Sequence, residues 1–81
     1  MMMADRRTLR RCSRGPEVEE LQDLLTTRHG KGKLIELDPR GVFEVGTSRA
    51  VIHVQKRRKL AADGIVTPEV WAALLDEEAQ A

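Results

Sequence analysis

Apolar positions recur with helical spacing in three stretches of the chain. Val18, Leu21, Leu24 and Leu25 line one face of a first helix, while Glu17, Glu19, Glu20 and Asp23 fall largely elsewhere. Gly15-Pro16 opens this helix, because proline lacks the N–H that has no intrahelical partner at the first position. His29-Gly30 closes it, with the glycine available for a left-handed cap. Thr47, Ala50, Val51 and Val54 share a face of a second helix, from about residue 45 to 58. Ile52 lies off that face and is expected to be an ordinary exposed isoleucine. In the third stretch Thr67 suits the N-cap, Pro68 the first helical position and Glu69 the positive end of the dipole. Val70, Trp71, Leu74 and Leu75 give its apolar face. The acids Asp76, Glu77 and Glu78 then meet the negative end of the dipole, so fraying is expected after Leu75.

Between the first two helices, residues 30–44 read as a connector. Lys31-Gly32-Lys33 suggests a turn. Leu34, Ile35 and Leu37 form an apolar patch, either a strand or a cover for the core, and Asp38-Pro39-Arg40-Gly41 is a second turn. The chain also echoes itself at a constant offset of 23 positions. Gly41-Val42-Phe43 leads through Thr47 into Ala50-Val51, and Gly64-Ile65-Val66 leads through Val70 into Ala73-Leu74. Each unit is a glycine turn, two apolar plugs and a helix. The predicted fold is all-α: a small three-helix bundle with two loop–helix repeats packed on the first helix.

Composition narrows the function classes. The chain has 81 residues and two aromatics, Phe43 and Trp71. That supports one domain with a thin core and gives little material for an aromatic platform that stacks nucleic-acid bases. No apolar run approaches the roughly 20 residues of a membrane span. Cys12 is the lone cysteine, so no intrachain disulfide forms. His29 and His53 lie too far apart for a helical metal-ligand pair, and neither a metal nor a cofactor is expected. The basic start at Met1–Arg7 lacks the apolar segment of a secretory leader. Read as written, the chain stays in the cytoplasm unless it is exported, delivered or part of a longer protein. No nucleophile–base set, HExxH or phosphate loop is present, which argues against an enzyme.

The formal net charge is only +1, yet the charge is segregated. Arg6, Arg7, Arg10, Arg11 and Arg14 precede the acids of the first helix, and Lys56-Arg57-Arg58-Lys59 closes the second. Acids at helix starts and bases at helix ends favour the dipole, which accounts for much of this order. Nucleic-acid binding through the basic blocks is the competing explanation, weakened by the near-neutral total.

The stretch LRRCSRGPEVEELQDLL, Leu9 to Leu25, resembles the opening of the peptidoglycan-binding-like domain (type 1), through Ser13, Gly15, Val18, Leu21 and Gln22. Gly41, Phe43, Thr47, Ala50, Val51 and Gln55 are similar to its middle. Leu60-Ala61-Ala62-Asp63-Gly64-Ile65-Val66, with Pro68, Trp71 and Leu74, is similar to its end. Several positions depart from the pattern. Cys12 stands for the first turn glycine, Arg40 for the first Asp-Gly aspartate, Glu44 and Thr67 for two glycines, Val54 for a Phe and Val70 for a Thr. The connector is also longer than the family's usual one.

The resemblance implies a non-catalytic module over residues 9–75, between a basic tail (1–8) and an acidic tail (76–81). Its partner would be bacterial peptidoglycan or a muropeptide, in a phage, injection-machine or wall-hydrolase system. The same fold turned into a protein–protein assembly module is the alternative, and a monomer is expected. Candidate ligand contacts are Arg14 and Arg40 in turns, Arg49 and Lys56 on the second helix, and Asp63 before the third, since arginine grips carboxylates with paired hydrogen bonds. Each also has an ordinary reading as a solvated side chain, or for Asp63 as a turn former. Trp71 could stack on a sugar, but its spacing with Val70 and Leu74 reads as core. Gln22 and Gln55 are expected to bond loop backbone.

Overall fold

The computed structural model describes residues 7–79, with side chains as far as Leu75. Four helices follow in order: α1 (Pro16–Thr27), α2 (Gly32–Ile35), α3 (Val45–Arg57) and α4 (Pro68–Ala79). The all-α expectation holds, and the connector adds a fourth, short helix. The turn expected at Lys31–Lys33 is the beginning of α2, and no strand forms from Leu34, Ile35 and Leu37. Leu34 and Ile35 cover the core, whereas Leu37 is 63% exposed.

Each long helix buries the face its apolar spacing marked. Val18, Leu21 and Leu25 of α1, Ala50, Val51 and Val54 of α3, and Val70, Trp71 and Leu74 of α4 meet in one core. Phe43 and Val66, the plugs ahead of α3 and α4, are wholly buried with them, as is Leu9 from the N-terminal segment. Full burial of a side chain of this size stabilises by about 1.5–3 kcal/mol. Ile52 is half-buried rather than exposed: its Cγ1 and Cδ1 lie 3.6 Å from where a Cβ on Gly64 would stand. The side chain covers the second glycine turn.

Helix ends follow local chemistry. Pro16 occupies the first turn of α1 behind Gly15 at φ 122°. The last helical residue of α1 is Thr27, and the chain reverses through Gly30 at φ 68°, where the Lys31 N–H reaches back to the Leu25 carbonyl at 2.9 Å. α3 ends in a Schellman turn. Leu60 N–H donates to Gln55 O at 2.8 Å and Lys59 N–H to Lys56 O at 3.1 Å, with Lys59 at φ 61°. At α4 the Thr67 hydroxyl accepts the Val70 N–H at 3.3 Å, the expected N-cap bond. α4 continues to Ala79, past the fraying point expected after Leu75. The core contacts that hold its inner face outweigh an unfavourable dipole term of a few tenths of a kcal/mol, up to about 1. Most of the basic tail, Met1–Arg6, lies outside the described residues, as do the last two residues of the acidic tail.

Candidate functional site

Each of two glycine turns is clamped by a buried glutamine. Gln22 on α1 accepts the Gly41 N–H at 2.8 Å through Oε1. Its Nε2 donates to Val42 O and to the Thr47 hydroxyl oxygen, both at 3.1 Å. Gln55 on α3 repeats the arrangement, accepting the Gly64 N–H at 2.9 Å and donating to Ile65 O at 3.0 Å. Gly41 and Gly64 have φ of 80° and 77°, a conformation that costs glycine nothing and other residues about 1–2 kcal/mol. The internal echo is therefore a repeated hydrogen-bond device: helix glutamine, glycine turn, apolar plug.

The N-terminal segment ties the two turns together. Leu9 exchanges backbone bonds with Val66 at 3.0 and 2.8 Å. Cys12 N–H donates to Phe43 O at 2.8 Å, Phe43 N–H to Ser13 O at 3.0 Å, and Gly15 N–H to Gly41 O at 3.0 Å. The turn between these pairings places Cys12 at φ 81°, closed by Ser13 N–H to Arg10 O at 2.9 Å. The Trp71 indole N–H donates to Arg7 O at 3.2 Å, so the ring is core and its polar edge is used.

The turns differ where Arg40 and Asp63 occupy equivalent places. Asp63 accepts the Ile65 N–H at 3.0 Å and the Gln55 amide at 3.1 Å. The Ile65 N–H first, and then the Gln55 amide, hold its carboxyl below the ordinary 3.8. Arg40 cannot accept a hydrogen bond. It turns outward and grips Asp23 with two bonds, at 2.9 and 3.2 Å, with Glu19 at 3.6 Å. The Asp23 carboxyl is held below 3.8, chiefly by those hydrogen bonds from Arg40.

The longer connector brings a carboxylate of its own. Asp38 accepts the N–H groups of Glu44 at 3.0 Å, Gly46 at 2.9 Å and Thr47 at 2.6 Å, and so caps the start of α3 from six residues upstream. Burial pushes its carboxyl up. The Thr47 hydroxyl and the three backbone donors outweigh burial and hold it below 3.8.

Of the five candidate ligand residues, Arg14 and Arg40 lie on adjoining segments, since Arg14 pairs with Val42 in an antiparallel bridge. Arg49 and Lys56 share the outer face of α3, and Asp63 sits in the second turn. All five are exposed; among the described residues the side chains of Arg14, Arg49 and Lys56 bond to no other part of the protein, whereas Arg40 and Asp63 are engaged with it. A cleft of about 100 Å³ beside the second turn is lined by Gln55, Leu60, Asp63, Ile65, Glu69 and Val70, among others. It has room for only a few waters and falls short of the roughly 300 Å³ of a small-molecule pocket. Among the described residues no group of three or more His, Cys, Asp or Glu could hold a metal, and no helix is long and apolar enough to cross a membrane.

The family model described as a putative peptidoglycan binding domain matches residues 14–74. The chain belongs to that family. The match takes in both glutamine clamps, both glycine turns and the core faces of α1, α3 and α4. Cys12, which lies ahead of the matched region, has a φ that ordinarily suits glycine. Arg40 stands where the second turn has Asp63, and the first turn lacks the bonds that Asp63 makes. Leu9, wholly buried, lies ahead of the matched region. Searches of the curated proteins and of the solved structures return no match.

Sequence reasoning missed Asp38 as a capping residue. Capping signals are read one to three residues from a helix start, and Asp38 acts across a turn. It also missed the pairing of Arg40 with Asp23, which depends on how the long connector folds back on α1.

Proposed function

We propose that this protein is a non-catalytic module that binds bacterial peptidoglycan. The observation that carries the reading is the family match across residues 14–74, supported by the fold: α1, α3, the start of α4 and both clamped turns lie within it. On this reading the chain works as a monomer at the cell wall, as the targeting part of a phage, an injection machine or a wall hydrolase. It reaches the wall by export, by delivery or as part of a longer protein. Arg14, Arg49 and Lys56 are its cationic contacts, and Arg40 contributes only by leaving Asp23. Both aromatics are buried, so sugar stacking plays no part.

Co-sedimentation with insoluble peptidoglycan tests the reading. The folded protein is expected in the pellet at low salt, and a folded protein that stays in the supernatant overturns it.

One observation favours a second reading, docking on a partner protein. Leu37 and Val45, 63% and 41% exposed, flank Gly46 at the corner of α2 and α3. A folded protein that ignores peptidoglycan but loses a partner on Leu37→Ser would support it.

A further inference from the structure

The charges of the two outer helices are unequally matched. On α1, Glu17 meets Arg7 at 2.7 Å, and Glu19 and Asp23 meet Arg40 at 3.6 and 2.9 Å. Glu44 meets Arg11 at 3.6 Å. The acidic side of the bundle thus has its counter-charges supplied by loops of the same chain. α3 has none. From Val45 to Ala62 the sequence contains no Asp or Glu. Arg49, His53 and Lys56 recur at helical spacing on its exposed face, and Lys59 follows just past its end. Among the described residues Arg49, Lys56 and Lys59 form no ion pair.

The shape of this face limits what it can recognise. Arg49 and Lys56 are two turns apart, about 10 Å along the axis, on a convex surface with no aromatic side chain. Arg49 and Lys56 can each pair with a peptide carboxylate of the wall, but a convex face cannot enclose a sugar-peptide unit, which needs a concave site with convergent polar groups. The cleft beside Asp63 and Glu69 presents carboxylates and would repel an anion. A row of cations on a convex face reads charge repeated along a chain. The acidic side of a second copy is a poor occupant, because those acids are already paired.

We infer that the outer face of α3, through Arg49, Lys56 and Lys59, docks the phosphodiester polyanion attached to bacterial wall. This rests on the wall-binding reading and adds the ligand chemistry and the face. Three or four neutralised phosphates make binding steeply salt-dependent, with affinity falling roughly 20- to 50-fold from 50 to 200 mM salt.

The test uses insoluble peptidoglycan that carries covalently attached poly(glycerol phosphate), and the same material stripped by hydrofluoric acid. The full chain is compared with Arg49→Glu/Lys56→Glu and with Lys31→Glu/Lys33→Glu, which changes net charge equally on α2 and its approach. Circular dichroism confirms that each is folded. Tighter binding to the unstripped wall by at least tenfold, lost in the α3 variant and kept in the α2 variant, supports the inference. Equal binding to both walls overturns it and leaves the wall-binding reading standing, whereas binding to neither overturns both. Equal losses in the two variants overturn it in favour of net charge. Tighter binding to duplex DNA than to the wall polymer, or self-association abolished by the α3 variant, also overturns it.

Discussion

Cys12 adopts a glycine's conformation without being glycine. At φ 81° its Cβ crowds the backbone, and its exposed side chain gains no burial in return. Cys12→Gly is expected to stabilise the protein by about 1 kcal/mol, less the extra freedom glycine gains when unfolded. The check is a higher urea midpoint with an unchanged m-value. Gly46 is the opposite case. Its φ is ordinary for a helix, but a Cβ there would run into the Leu34 carbonyl oxygen and press on Leu37 and Asp38. Gly46→Ala is expected to destabilise by about 2 kcal/mol or more, because backbone has to move. The first effect is legible in the sequence once a glycine is expected at position 12. The second is not, since no local rule reports that α2 will lie against the start of α3.

Among the elements, the two glutamine clamps make a matched pair for experiment. Replacing Gln22 or Gln55 by Leu keeps the volume and strands a buried glycine N–H together with the following carbonyl. An unsatisfied buried group costs about 1–3 kcal/mol, so each variant is expected to lose about 2–4 kcal/mol by urea unfolding. Asp38 does for α3 what Thr67 does for α4, but from a distance. Asp38→Ala is expected to cost about 1–2 kcal/mol. Because its carboxyl lies below 3.8 when folded, that contribution is present above pH 3.8 and lost as pH falls through the folded value. The long helices were legible because apolar spacing, proline, a threonine cap and glycine stops all agree. α2 was not. Four residues that include a glycine have no helical preference of their own, and only Leu34 and Ile35 lying on the core hold them. Of the candidate site, the exposed cations of α3 were readable as a block, whereas the bonds of Arg40 to Asp23 and of Asp63 to Gln55 depend on contacts between segments.

At the scale of the molecule, His29 links the end of α1 to α4, its Nε2 lying 3.2 Å from Leu74 O. Burial holds the imidazole below its ordinary 6.5, against the Leu74 hydrogen bond and with Arg57, Arg28 and Arg58 nearby. The unfolded chain takes up this proton near pH 6.5 and the folded chain only at lower pH. Its contribution is therefore complete above about 6.5 and declines as pH drops through 6.5 toward the folded value. The urea midpoint is expected to fall between pH 7.5 and 5. His29→Gln should flatten that fall.

The N-terminal segment matters just as widely. A chain starting at Arg14, where the family match begins, lacks Leu9 and the acceptor of the Trp71 indole. It is expected to lose about 3–5 kcal/mol, checked by thermal or urea unfolding. The pairing of Leu9 with Val66 also sets an order of assembly. Leu9 is among the first core residues synthesised, and its partner is among the last. Contacts so distant in sequence form only after the loop between them closes. A ribosome-bound chain that has not yet released Val66 can already form the Phe43 turn and its glutamine clamp, but Leu9 stays unpaired and the side of the core that α4 covers stays open until the last residues emerge.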